Sequence, residues 1–206
     1  HDHAIALNCA RNCLAYIIEA KNIKNIALPK FLCGSVKRTC EEHGVDVNYY
    51  SIGIDFLPED IELKQNEWLY LVNYYGQISN EKIARYKRSY DNLIVDNVQA
   101  YFQHPVDGVD TLYTCRKFFG VSDGAFLYTD KRIERELSRD KSAERMMHLL
   151  GRYEDSANKY YSIYKENEKN LEEIPIRKMS RLTENVLRGI DYNFVARVRR
   201  ENYSYL

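Results

Sequence analysis

The chain has 206 residues, 45% of them hydrophobic and 29% charged, which suits one domain with a substantial core and some additional elements. Thirty basic and thirty acidic residues give a formal net charge of zero, so a general electrostatic attraction to nucleic acid or to an anionic membrane gains no support. No apolar run approaches the roughly 20 residues that a membrane-spanning helix needs.

In chain order, "AIALN" (Ala4 to Asn8) reads as a strand, and "ARNCLAYIIEAK" follows with Leu14, Ile17 and Ile18 at helical spacing. "NIALP" is a second strand stopped by Pro29, and "GSVKRTCEEHG" is a helix ended by Gly44. "VDVNYYSI" and "EWLYLVNYYG" read as strands three and four. "SNEKIARYKRSY" is a helix whose N-cap is Ser79 or Asn80. "NLIVDNV" is a fifth strand, almost wholly apolar before Asp96, and "GAFLYTD" a further one. From Lys131 onward the pattern is helical. "SAERMMHLLGRYEDSANKYYSIYKENEKNL" reads as one long helix interrupted at Gly151, and "DYNFVARVRRENYSYL" closes the chain. Continuous apolar strands separated by helices point to an α/β fold with a mostly parallel sheet covered on both faces.

Cys9, Cys13, Cys33, Cys40 and Cys115 form no C-x-x-C pair, so neither a zinc site nor a disulfide framework is expected. Buried, reduced thiols in a cytoplasmic protein are the expectation. The abrupt start at "HDHAIALN", without an initiator Met or signal peptide, suggests a piece of a longer polypeptide.

In open α/β sheets, ligands bind beyond the carboxyl ends of the strands, and three candidate groups stand at such ends. The first is the turn into the helix that starts near Ala10 and Arg11, where free N–H groups and a guanidinium suit an anion. The second is Asp96, a carboxylate after an apolar run that would be costly to bury alone. It serves either as an N-cap for the next turn or as the counter-ion of a buried cationic group. The third is Lys117, which is either a snorkelling surface lysine or a reactive amine. In the second case Phe118 and Phe119 would create a low-dielectric site, because burial lowers a lysine pKa. Together these groups meet the needs of pyridoxal phosphate: an amine for the imine, a carboxylate for the pyridine nitrogen, and a helix start for the phosphate.

The sequence resembles the large domain of fold-type I pyridoxal-phosphate enzymes, and more narrowly the DegT/StrS-type aminotransferases. "LIVDNVQAYF" is similar to the family's Asp-x-x-Gln/His segment, and "YTCRKFFGVSDGAFLYT" to its Schiff-base lysine segment. "LNCARNCLAYII" resembles the phosphate-binding helix start, "LPKFLCGSV" the loop that packs on the cofactor ring, and "LVNYYGQ" a strand end near the site. The resemblance implies a three-layer α/β/α sandwich with a mostly parallel mixed sheet, the aspartate-aminotransferase-like large domain. It spans residues 1–190, and residues 191–206 form a helix leading towards a small C-terminal domain.

The resemblance also assigns roles. Lys117 is the imine lysine, Asp96 meets the pyridine nitrogen, and Gln99 lies near the ring hydroxyl. Phe31 packs on the ring, Thr114 contacts the phosphate, and Asn73 lies near the site. At the phosphate turn the family's small hydroxyl residues are replaced by Cys9, Ala10 and Arg11, which leaves the phosphate to backbone N–H groups at Ala10 and to Arg11. The activity that the resemblance implies is transamination of a nucleotide-linked keto sugar, with an amino acid such as Glu or Gln as donor and a homodimer as the working unit. No nucleic-acid or membrane partner and no metal are implied. Another pyridoxal-phosphate reaction on the same scaffold, or a cofactor-binding relative without transaminase activity, are the alternatives.

Overall fold

The computed structural model describes residues 3–206. The elements run β1 (Ile5–Leu7), α1 (Ala10–Lys21), β2 (Asn25–Pro29), α2 (Gly34–Glu42), β3 (Asp46–Ile52), β4 (Pro58–Glu59), β5 (Trp68–Val72), α3 (Asn80–Ser89), β6 (Leu93–Asp96), β7 (Asp110–Thr114) and β8 (Ala125–Tyr128). Four helices follow: α4 (Met147–Glu154), α5 (Tyr161–Glu173), α6 (Arg181–Arg188) and α7 (Tyr192–Tyr205).

The strands form one sheet in the order β1-β8-β7-β6-β5-β2-β3-β4. The middle, from β7 through β6, β5 and β2 to β3, is parallel. Antiparallel pairings close the two ends, β8 with β7 and β1, and β4 with β3. The chain thus belongs to the α/β class with a mixed, mostly parallel sheet.

Side chains alternate across this sheet, and each face is covered by helices. Leu28, Tyr70, Ile94, Leu112 and Leu127 pack with Leu14, Ile17 and Ile18 of α1 and Cys40 of α2. On the other face, Leu69, Leu71, Leu93 and Val95 pack with Ile83 of α3. Farther along that face, Phe126 and Tyr113 lie under Leu187 of α6 and Tyr192 and Val195 of α7. Burying both faces explains why the central strands carry so few polar residues.

Several expectations need correction. β7 was not evident in the sequence because Asp110 and Thr111 break its apolar run; both are buried and satisfied. Asp110 pairs with Lys21 at 2.7 Å, and the Thr111 hydroxyl donates to the Val109 carbonyl at 3.1 Å. The expected long helix is two, α4 and α5, parted by residues 155–160. Gly151 sits within α4 and is not the break. A Cβ there would overlap the Tyr160 ring, so glycine makes room for the chain to fold back. The segment after Lys131 is irregular as far as residue 142, apart from a bridge between Arg139 and Lys178. Of the five free cysteines four are buried, but Cys33 is exposed.

Candidate functional site

The carboxyl ends of β5, β6 and β7 meet the start of α1 around a cavity of about 480 Å³. Two connections leave β2 and β5 in opposite directions across the sheet, and a crevice forms where they part. Phe31, from the loop after β2, lies on this crevice.

Asp96 ends β6 and is 4% exposed. One carboxylate oxygen accepts from the Tyr70 hydroxyl at 2.7 Å, and the other from the Val98 amide at 2.9 Å. Burial pushes its carboxyl pKa up, against the opposing pull of those two donors and of the nearby Lys117 charge. The Val98 bond makes it a turn-former, as one reading of the sequence had it, yet the side chain still lines the cavity.

Ala10 and Arg11 open α1. The N-cap residue Cys9 makes no side-chain capping bond, and no acidic residue lies in the first turn. The helix start therefore keeps unsatisfied N–H groups and their partial positive charge. Arg11 adds to this: its buried Nε and Nη1 have no hydrogen-bond partner among the described residues. A buried guanidinium without a partner is costly, and an anion would satisfy it. Thr114, buried at the end of β7, lines the same space.

Lys117 also lines the cavity, but as an exposed residue. The expected low-dielectric setting is absent: Lys117 is exposed, while both phenylalanines pack against Tyr101. Phe119 packs edge-on to Tyr101, with centroids 4.8 Å apart, and Phe118 lies 5.4 Å from the same ring. They anchor the segment to the core and leave its lysine at the cavity. Gln99 lines the cavity while its Oε1 accepts from the Tyr75 amide at 3.0 Å. Phe31 is 59% exposed, its ring 5.7 Å from that of Tyr74.

Asn73 is placed elsewhere. It is fully buried, donates to Asn97 Oδ1 at 2.9 Å and Gln103 Oε1 at 2.8 Å, and accepts from the Ile78 amide at 2.9 Å. Its amide closes the loop after β5 and does not line the cavity.

Several lining residues escaped the sequence reading, among them Tyr70, Arg116 and Glu168. Tyr70 carried a signal, since a tyrosine inside a buried strand needs a partner for its hydroxyl. Arg116, beside Lys117, forms an ion pair with Glu168 of α5. Nothing local marks Glu168, which reaches the site from 52 positions away. The cations also act on Cys33: its thiol pKa is lowered first by hydrogen bonding to Ser35, then by the charges of Lys117 and Arg11.

No known family profile and no curated protein matches the sequence. Among solved structures the chain is similar to DesV of S. venezuelae, with a TM-score of 0.52, 14% identity, and coverage of 62% of this chain and 40% of that one. It is also similar to the histidinol-phosphate aminotransferase of Clostridium acetobutylicum, with a TM-score of 0.50, 14% identity, and coverage of 62% and 45%. The fold is aminotransferase-like. The chain spans less than half the length of either structure, and at this identity the likeness concerns the fold alone. Among the described residues no helix is long and apolar enough to cross a membrane, and no cluster suits a metal ion.

Proposed function

We propose that the chain is the cofactor-binding part of a pyridoxal-phosphate-dependent aminotransferase. One observation supports this above the others. An amine (Lys117), a buried carboxylate (Asp96) and a guanidinium without a partner (Arg11) line a single cavity at the carboxyl edge of the sheet.

This donor set fits pyridoxal 5'-phosphate. Arg11 and the N–H groups at Ala10 would hold the phosphate, with the Thr114 hydroxyl as a further contact. Asp96, fixed by Tyr70 and Val98, would meet the pyridine nitrogen, and a cationic ring there would offset the cost of burying the carboxylate. Phe31 would flank the ring and Gln99 its hydroxyl edge. The bound cofactor supplies an electron sink for the substrate carbon that loses a proton. Lys117 would anchor the aldehyde and then, through Nζ, take that proton and return it at the neighbouring position.

The finer reading is a DegT/StrS-type enzyme that moves an amino group from an amino acid such as glutamate to a nucleotide-linked keto sugar. Residues 1–190 would be its large domain and residues 191–206 would lead towards a small one, in a cytoplasmic homodimer. The test is an absorbance spectrum of the protein with added pyridoxal phosphate, before and after glutamate. A visible band that glutamate bleaches supports transamination. A band that no amino donor bleaches points to other chemistry on this scaffold, and no band at all refutes the proposal.

A further inference from the structure

Helix α5 reaches the cavity at the carboxyl edge of the sheet through Glu168, and few contacts hold it there. Of its 13 residues only Asn167 and Leu171 are buried. Glu168 forms an ion pair with Arg116 on the cavity wall, and Glu172 forms one with Arg38 of α2. Just past its C-terminus the chain is tied down, since Asn8 and Asn12 donate to the Pro175 carbonyl at 3.1 and 2.9 Å. A helix with so little buried surface belongs to the part of a fold that opens most easily.

Asn167 joins α5 to α4 and the turn before it. Its Nδ2 donates to the Arg145 carbonyl at 3.2 Å and lies 3.0 Å from Nδ1 of His148, which is 8% exposed. The bond to the carbonyl points the amide N–H groups at both partners, so Nδ1 of His148 has to accept. The one proton of the neutral ring therefore sits on Nε2. A second proton, on Nδ1, would set two donors against each other. To keep a bond to the ring, the Asn167 amide would have to turn and give up Arg145.

The surrounding charges act in the same direction. Around the space that His148 lines stand Arg116 and Lys117, Arg152 of α4 and Arg199 of α7, with the phenols of Tyr153 and Tyr164. The Tyr164 ring centroid is 5.6 Å from that of His148. Among the described residues no carboxylate lines this space, and Glu168 is engaged by Arg116. Burial first, then the charges of Arg116 and Arg152, lowers the imidazole pKa against a raising contact with the Arg145 backbone. The native state thus binds this proton less tightly than the unfolded chain does. The contribution to stability is complete above the unfolded value of about 6.5 and is lost as pH falls through the lowered folded value.

We propose that α5 is a strap released by protonation of His148. Charging the ring breaks the Asn167 clamp, α5 lifts about its tied C-terminal end, and Glu168 leaves Arg116, which opens the cavity wall. Neutral pH closes the strap and mild acid opens it. The device does not depend on the cofactor reading, and it is tested on the protein without pyridoxal phosphate.

The test is hydrogen exchange of the full chain at about pH 7.5 and about pH 5.5, on either side of the ordinary histidine value. Mass analysis compares peptides covering 161–173 and 68–96, after correction for the intrinsic effect of pH on exchange. Protection of α5 should fall at least about threefold at the lower pH, while β5 and β6 keep theirs. His148→Asn keeps an acceptor near the place of Nδ1 and cannot ionise, so its α5 should stay protected at both pH values. His148→Phe offers no acceptor, and its α5 should be open at both. Equal protection of wild-type α5 at the two pH values overturns the proposal, and so does a loss shared by β5 and β6, which would be global unfolding. Neither outcome needs a variant. A loss that persists in His148→Asn assigns the proton to another group and overturns it as well.

Discussion

Asp96 and Asp123 are both buried carboxylates, yet their surroundings differ. Asp123 accepts from the Ser180 amide at 2.8 Å, from the Ser180 hydroxyl at 2.8 Å and from the Thr183 hydroxyl. It ties the turn before β8 to the N-terminus of α6, and its neighbours face protein. Asp96 has two donors, one on each oxygen, and borders a cavity that also holds Lys117 and an unpartnered Arg11. A carboxylate enclosed by donors holds the fold together. One left partly uncompensated beside open space is poised for a ligand.

Substitutions should separate the two along this line. The largest effect on stability is expected for Asp123→Ala, which strands three buried donors; chemical denaturation should show a loss of roughly 3 kcal/mol or more. Equal losses for Asp123→Ala and Asp96→Ala would erase the contrast. Next comes Gly124→Ala. This residue has φ +110°, and a Cβ would stand 2.9 Å from Thr183 Cγ2, so about 2 kcal/mol of destabilisation is expected in the same assay. Asn73→Ala should cost about 1–2 kcal/mol through its broken loop bonds, with cofactor affinity nearly unchanged. A large loss of affinity without a loss of stability would return Asn73 to the site.

The smallest effect has the opposite sign. The folded-state pKa of Asp96 is raised, so the native state binds its proton more tightly than the unfolded chain does. Its contribution to stability is complete below the unfolded value of about 3.9 and is lost as pH rises through the raised folded value. Asp96→Asn cannot ionise. The cofactor-free variant should therefore melt slightly above the wild type at neutral pH, with the gain fading towards acid. A lower melting temperature at neutral pH would show that the ionised carboxylate stabilises the fold as Asp123 does.

The contrast also explains which parts were legible in the sequence. Asp96 stood out because "LIV" before it forced burial, and the parallel strands stood out because both faces are covered. Lys117 was expected in a low-dielectric setting and is exposed at the cavity instead. Its phenylalanines belong to the cluster around Tyr101 and Tyr192, and only tertiary packing decides which way such rings turn. Asn73 ended a strand near the site, but its partners Asn97 and Gln103 lie 24 and 30 positions away, beyond any local pattern. The same holds for β7, whose polar start is satisfied by Lys21 from α1, and for Glu168, carried to Arg116 by α5.

The proposed function requires Lys117 to stand where pyridoxal phosphate binds. The most direct measurement is borohydride fixation of the cofactor on the protein, followed by peptide mass analysis. The cofactor should be found on the peptide containing Lys117, and Lys117→Ala should take up none. Label spread over the surface lysines, or label that persists in Lys117→Ala, would contradict the account.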